Sequence, residues 1–96
     1  MSTATAPSTV HRNVIVVQTY AIPVADHRTE IDHYEVHVAP DEGRDAQRTV
    51  LLTDKRDAYL LALTAEGHDC RVTVRSHAGQ RGGKRVLVLD SMKTVP

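Results

Sequence analysis

The sequence is poor in aromatic residues and has a single cysteine. Among its 96 residues there is no Trp and no Phe, and the aromatic share is 3%. A folded core must therefore be built from Val, Leu, Ile and Ala, with Tyr20, Tyr34 and Tyr59 as the large rings. Because Cys70 is alone, an intrachain disulfide is excluded. We expect Cys70 to be a small buried hydrophobe and not a catalytic thiol.

The sequence also lacks net charge and long apolar runs. Twelve Lys and Arg residues balance twelve Asp and Glu residues, so the chain has no general attraction for nucleic acid or an anionic membrane. No apolar run is long enough to span a bilayer. The opening residues have neither the basic start nor the apolar stretch of a secretory signal. We therefore expect synthesis in the cytoplasm without export, and neither nucleic-acid nor membrane partners.

What the chain does contain is short alternating segments that are typical of β-strands. In residues 31–39, Tyr34, Val36 and Val38 share one face, and in residues 70–75 the apolar and polar side chains alternate in the same way. Val- and Leu-rich segments predict further strands at residues 14–17, 20–22, 49–52 and 84–90. The predicted core comprises Tyr34, Val36, Val38, Leu61, Leu63, Cys70, Val72, Val74, Val86 and Val88.

The length and the hydrophobic share of 41% fit one domain with one core. We predict a flexible arm over residues 1–9, a β-sandwich domain over residues 10–91 and a tail over residues 92–96. Residues 54–66 are ambiguous, because helix formers and a stop at Gly67 favour a helix while alternation at Tyr59, Leu61 and Leu63 favours a strand. We favour the strand; the alternative is an α+β fold with one helix on an antiparallel sheet.

Three segments resemble the fibronectin type III-like, or immunoglobulin-like, β-sandwich. They are the Tyr-x-Val pattern that starts at Tyr34, the strand-turn-strand segment from Leu63 to Val74, and a hairpin loop at residues 81–84. The resemblance implies an all-β, antiparallel sandwich. Single domains of this kind without export signals recur as accessory subunits of bacteriophage capsids and tails. The resemblance therefore implies a structural protein of a virion, by analogy of fold only.

Few residues suggest chemistry. His33, Glu35 and His37 lie on one outward face of a predicted strand, where imidazole and carboxylate groups are candidate zinc ligands. We expect a solvated polar face there instead, with no metal or other cofactor. Arg81, Lys84 and Arg85 flank a glycine-rich turn and are candidates for binding a ligand through a loop. No nucleophile motif or acid–base pair stands out, so we expect that the protein is not an enzyme.

Three predicted strands, at residues 14–17, 50–52 and 86–89, are apolar on both faces. A small two-layer protein cannot cover both faces of these strands. We therefore expect an outer face to be buried against another protein chain, with Val14, Val16, Leu87 and Leu89 as interface residues. The first function hypothesis is a structural module that works by assembly, either oligomeric or part of a larger complex. The alternative is a monomeric domain that binds a glycan or a peptide through loops at residues 26–30 and 79–84.

Overall fold

The computed structural model describes residues 8–40, 48–68 and 70–95. The strands and the helix follow in chain order as β1 (Ser8–Val24), β2 (His27–Ala39), β3 (Thr49–Thr53), α1 (Arg56–His68), β4 (Arg71–Arg81) and β5 (Lys84–Thr94). The fold is thus mostly β, with one helix between the third and fourth strands. Residues 8–9 and 92–94, predicted to lie in the arm and the tail, belong to β1 and β5. The remainder of the predicted arm, residues 1–7, lies outside the described residues.

The five strands form one closed barrel in the order β1-β2-β3-β5-β4. All neighbouring strands are antiparallel except β3 and β5, which pair in parallel. A sandwich has two facing sheets, whereas these strands make a single mixed sheet that closes on itself. The described structure therefore gives no support to the resemblance to fibronectin type III domains.

Strand β1 closes the barrel because it pairs with two neighbours along different parts of its length. Its first half pairs with β4 and its second half pairs with β2, and Ile15 belongs to both ladders. The β4 register shifts between His11 and Val14, where Asn13 has a positive φ of 55°. Such a bulge bends a strand and increases its twist, as closure of a small barrel requires. The Arg71 side chain donates a hydrogen bond to the Asn13 carbonyl at 2.9 Å.

The barrel interior is filled mainly by valine. Val36, Val72 and Val74 are fully buried, and Leu51 is the largest fully buried side chain. Val14, Val16, Val38, Leu89 and Met92 complete the interior together with two helix alanines. The predicted burial of Val36, Val38, Val72 and Val74 is therefore confirmed. Alternation along β2 and β4 determines the orientation of these side chains.

Other core predictions were wrong. On β5, Leu89 is buried and Leu87 packs against the core, so the alternate residues Val86 and Val88 lie on the outer face, opposite to the prediction. A strand that is apolar throughout gives no signal for which set of alternate residues points inward.

Residues 54–66 form a helix and not the strand that we favoured. Helix α1 packs on the barrel through its small residues, with Ala62 and Ala65 buried, whereas Leu61 and Leu63 are 39% and 43% exposed and do not belong to the core. Residues 54–66 contain neither Val nor Ile, unlike the strand segments, and Thr64 is their single β-branched residue. This scarcity of β-branched residues is the local signal that favours a helix.

The glycine-rich turn between β4 and β5 is a two-residue hairpin loop. Gly82 and Gly83 both have positive φ, 57° and 78°, as the central residues of a type I′ turn must. A residue with a side chain would be strained at either position. The described part of the chain contains no helix that is long and apolar enough to cross a membrane.

Candidate functional site

The outer face of β2 carries a row of interacting polar side chains. His37 Nε2 lies 3.1 Å from Glu35 Oε1, and His33 Nε2 lies 3.9 Å from Glu35 Oε2. The other ring nitrogen of His33 lies 2.7 Å from Asp32 Oδ2. The strand places the three side chains of the row on one face because they alternate with the buried valines of β2. The row consists of imidazoles next to carboxylates, half-shielded from water.

One aromatic contact extends this row, and a second lies on the opposite face of β2. The ring of Tyr20, on β1, meets the His37 ring edge to face, with centroids 5.1 Å apart. The second ring nitrogen of His37, Nδ1, is buried and has no hydrogen-bond partner among the described residues. At the helix end of β2, Tyr34 stacks on Tyr59 of α1 with centroids 4.4 Å apart. Tyr20 is thus the exposed aromatic residue beside the polar row, since it is 39% exposed.

Arg81 ties the tip of the β4–β5 hairpin to β2 and to the end of β3. Its guanidinium donates to Asp32 Oδ2 at 2.8 Å and to Asp54 Oδ1 at 3.2 Å, and also to the Asp32 carbonyl at 3.0 Å. The hydrogen bond from Arg81, supported by His33, lowers the pKa of the Asp32 carboxyl below its ordinary value. Of the predicted loop residues, Arg81 is therefore engaged in the fold, whereas Lys84 and Arg85 are exposed.

The three candidate zinc ligands, His33, Glu35 and His37, are neighbours in the structure. Both imidazoles face the same carboxylate, yet among the described residues no group of three or more His, Cys, Asp or Glu residues is arranged to hold a metal ion. Successive outward side chains on an extended strand are roughly 7 Å apart, so the two histidines approach Glu35 from opposite sides. The arrangement is a hydrogen-bonded row and carries no metal proposal.

The predicted interface residues are placed differently from the expectation. Val14 and Val16 are each 6% exposed and Leu89 is 5% exposed, all inside the barrel, and Leu87 packs against the same core. Val14, Val16 and Leu89 are therefore not on the surface of the folded chain, whereas Leu87 is partly exposed. These three were assigned to the wrong face because a segment that is apolar on both faces gives no signal for which side chains point inward.

Apolar outer surface does exist, and sequence reasoning missed where it lies. Helix α1 exposes Leu60, Leu61 and Leu63, which are 42%, 39% and 43% exposed. Leu60 and Leu63 lie one turn apart on its outer side, and Leu61 lies about 100° from Leu60 around the helix axis. We name these three side chains the leucine face. The alanines Ala62 and Ala65 occupy the opposite side of the helix. Leucine spacing at helical period could have identified the face, had the segment been interpreted as a helix.

A second apolar area lies outside the barrel where β3 meets β5. Val50, Leu52, Val86 and Val88 point outward there, and Val50 is 38% exposed. A groove of about 440 Å³ opens beside them, and a small cavity of about 60 Å³ lies next to it under the Arg81 side of the hairpin. Neither of these two cavities brings together a nucleophile and a base. The doubly apolar character predicted for β3 and β5 is therefore real, and its outer half is accessible.

The sequence matches no protein-family model, and neither the curated proteins nor the solved structures give a match.

Proposed function

We propose that this protein is a non-catalytic module that works by docking onto protein. The observation that carries the proposal is the leucine face of α1. A helix that lies on a soluble protein normally exposes polar side chains opposite its packed side. Helix α1 packs through alanine and exposes three leucines among polar side chains such as Asp57 and Thr64. Leu60 and Leu63 are neighbours one turn apart, and an exposed apolar patch of this kind marks an interaction site.

The small side chains explain why the leucines remain outside. Ala62 is fully buried and Ala65 is 3% exposed, so the helix lies close to the barrel with no room for a larger residue. Thr19 on β1 fixes its orientation by donating a hydrogen bond to Glu66 at 2.9 Å. Ahead of the helix, the Thr53 hydroxyl accepts a hydrogen bond from the Lys55 backbone at 3.0 Å. The helix cannot rotate to bury its leucines without breaking these contacts.

The partner that we propose is a second copy of the chain. Two-fold self-association is the commonest arrangement of soluble oligomers, and it pairs the same patch on both copies. A chain with zero formal net charge does not repel its copy at long range. The comparison with bacteriophage accessory subunits depends on a sandwich that these strands do not form, so the proposal is limited to docking.

Light scattering across a concentration series tests the proposal. The wild-type mass should rise from that of one chain, 10.6 kDa, toward twice that value. The double variant Leu60→Glu with Leu63→Glu should remain at the mass of one chain, with an unchanged circular dichroism spectrum. Ile31→Glu is the matched control, because Ile31 is also 42% exposed but lies on β2. A wild type that remains monomeric up to about 1 mM would refute self-docking.

A second candidate function is glycan binding on the outer face of β2. The strand order, with a helix after β3, is that of oligonucleotide- and oligosaccharide-binding barrels, which bind on strands 2 and 3 and on the β1–β2 and β4–β5 loops. Here that face carries Glu35 beside two imidazoles, and Tyr20 borders it. Carboxylates accept hydrogen bonds from sugar hydroxyls and repel phosphodiesters, so the face favours a neutral glycan over nucleic acid.

Calorimetric titration separates the two ligand classes. Neutral oligosaccharides should bind the wild type, and oligothymidine should not. The Tyr20→Ala variant should bind sugars at least severalfold more weakly, whereas Tyr20→Phe should retain the stacking surface and bind as the wild type does. Failure of all oligosaccharides to bind would remove this candidate and leave the docking proposal unaffected.

A further inference from the structure

We propose that the groove between β3 and β5 is a binding site for an extended peptide that carries an acidic residue. The peptide would add as a strand along β5 at Arg85. The proposed site is the groove lined by Val50, Leu52, Ala78, Arg85, Val86 and Leu87. This surface is separate from the leucine face of α1, and the inference does not depend on self-association.

The two strands diverge on one side of their short ladder. Their parallel pairing is limited to Leu51 with Leu87 and Leu52 with Val88. Beyond these pairs, Val50 pairs with β2 alone and Arg85 pairs with β4 alone. No further backbone hydrogen bond reaches Arg85 from any residue of the described ranges. Within the described residues, the sheet therefore has unpaired backbone groups at this point, where an additional strand can pair.

The hairpin geometry orients the free backbone groups of Arg85 toward the groove. Gly82 and Gly83 form a two-residue loop, so the flanking pair Arg81 and Lys84 is the hydrogen-bonded pair that closes it. The next pair, Gln80 with Arg85, is then a non-hydrogen-bonded pair. Its N–H and C=O groups point away from the partner strand. For Arg85 that direction is the β3 side, where Leu87 makes its pairing with β3 two residues later.

The walls of the groove suit alternate apolar side chains. Its volume of about 440 Å³ is in the range of sites that bind small ligands or a few side chains. Val50 is 38% exposed, and Leu52, Val86 and Leu87 are partly exposed. An extended peptide places every second side chain on the same face. Two apolar residues can therefore lie beside Val86 in the groove, while the residue between them lies on the opposite face, on the side of Arg85, which alternates with Val86 along β5.

The charges at the groove select an acidic peptide. Arg85 lines the groove and is exposed, and Lys84 is exposed beside it. Neither side chain forms a salt bridge within the described residues. The nearby Arg81, in contrast, is already paired with Asp32 and Asp54. An acidic side chain next to the added strand would therefore meet a cation that is not neutralised by the fold, and complementary charge of this kind provides selectivity.

Fluorescence anisotropy with a labelled peptide of alternating Glu and Val, about six residues long, tests the inference. The wild type should bind this probe, and Arg85→Glu should bind it roughly tenfold more weakly. Arg12→Glu is the matched control, since Arg12 is an exposed arginine of β1 without a salt bridge in the described structure, and it should bind as the wild type does. A second probe with Lys in place of Glu should prefer Arg85→Glu over the wild type.

Two further measurements distinguish strand addition from other ways of binding in the groove. N-methylation of the peptide backbone should abolish binding, because it removes the N–H donors to the Arg85 carbonyl and places methyl groups where the added strand would pair. The Leu60→Glu and Leu63→Glu double variant should bind the probe normally, so the failure of one proposal is distinct from the failure of the other. Absence of binding by the wild type, equal losses in Arg85→Glu and Arg12→Glu, or normal binding of the N-methylated probe would each overturn the inference. Competition by decanoate together with indifference to N-methylation would identify an amphiphile as the ligand instead.

Discussion

The barrel interior and the outer side of α1 are both apolar, but they use different residues for opposite purposes. The interior is built mainly from valine, with Val36, Val72 and Val74 fully buried. The outer side of α1 carries the larger leucines, and Leu60 and Leu63 are 42% and 43% exposed. Burial in this protein therefore does not follow hydrophobic size. It follows the geometry of the barrel, whose narrow interior takes short branched side chains from five strands.

The comparison teaches that the same residue type belongs to the core in one region and to the outer surface in the other. Leu51 is fully buried in the barrel and has no surface to offer. Leu60 shields little of the barrel and is available to a partner. An exposed apolar residue is not by itself unusual, but Leu60 and Leu63, one turn apart and opposite the buried alanines, form a patch.

The largest expected effect comes from the same substitution in the two regions. Leu51→Ala should reduce the free energy of unfolding by about 2–5 kcal/mol, because it leaves a cavity among side chains that cannot collapse into it. Leu60→Ala should change it by less than about 1 kcal/mol, since the residue is partly solvated and alanine favours the helix. Chemical denaturation of dilute samples measures both values. Equal losses would show that the leucine face is part of the folding core and would break the comparison.

An intermediate effect should appear along β4, where inward and outward positions alternate. Val74→Ala should lower the free energy of unfolding by about 1–4 kcal/mol through lost burial and a cavity. Arg75→Ala, one residue later and exposed, should be within about 0.5 kcal/mol of the wild type. Thermal and urea unfolding of the two variants check this expectation. Comparable losses at both positions would contradict the orientation of β4.

The smallest effect concerns the exposed salt bridge on β2. Because Arg81 and His33 lower the pKa of Asp32 below its ordinary value of 3.8, the folded state favours the ionised carboxylate. The contribution is present above that ordinary value and is lost as the pH falls through the lowered one. Between about pH 7 and about pH 3, the free energy of unfolding should therefore fall less in Asp32→Asn than in the wild type. The variant lacks the ionised Asp32 carboxylate, so it has no such contribution to lose.

Unfolding titrations at the two pH values measure the difference. Asp26→Asn is the control, since Asp26 lies exposed in the β1–β2 turn and makes no salt bridge within the described residues. That variant should follow the wild-type pH dependence. If Asp32→Asn also follows it, the pairing of Asp32 with Arg81 does not persist in solution.

The sequence predicted the orientation of those strands in which polar residues alternate with apolar residues. In β2 and β4, the alternation of valine with charged or polar residues determined which side chains face inward, and Val36, Val38, Val72 and Val74 were assigned correctly. In β5, the run that contains Leu87 and Leu89 is apolar throughout. Its orientation could not be deduced, because both choices of face are equally hydrophobic. The row of His33, Glu35 and His37 was likewise predictable as one face, but not the contacts that it makes.

The leucine face could not be predicted while residues 54–66 were interpreted as a strand. Leu60, Leu61 and Leu63 are as hydrophobic as any core residue, and the packing of Ala62 against the barrel shows that they remain exposed. The groove at Arg85 depends on where two strands distant in sequence stop pairing, which no local pattern records. Three of the predicted interface residues were assigned to the wrong face because their segments are apolar on both faces.

The sequence by itself determined the composition of the core, the positions of most strands and the two-residue turn at Gly82 and Gly83, because these depend on local alternation and backbone preference. Tertiary structure decided the closed barrel, the parallel pairing of β3 with β5, and the accessibility of Leu60 and Arg85. These features depend on pairings between residues far apart in the chain. Their free energies arise only when the whole sheet closes, so no segment encodes them alone.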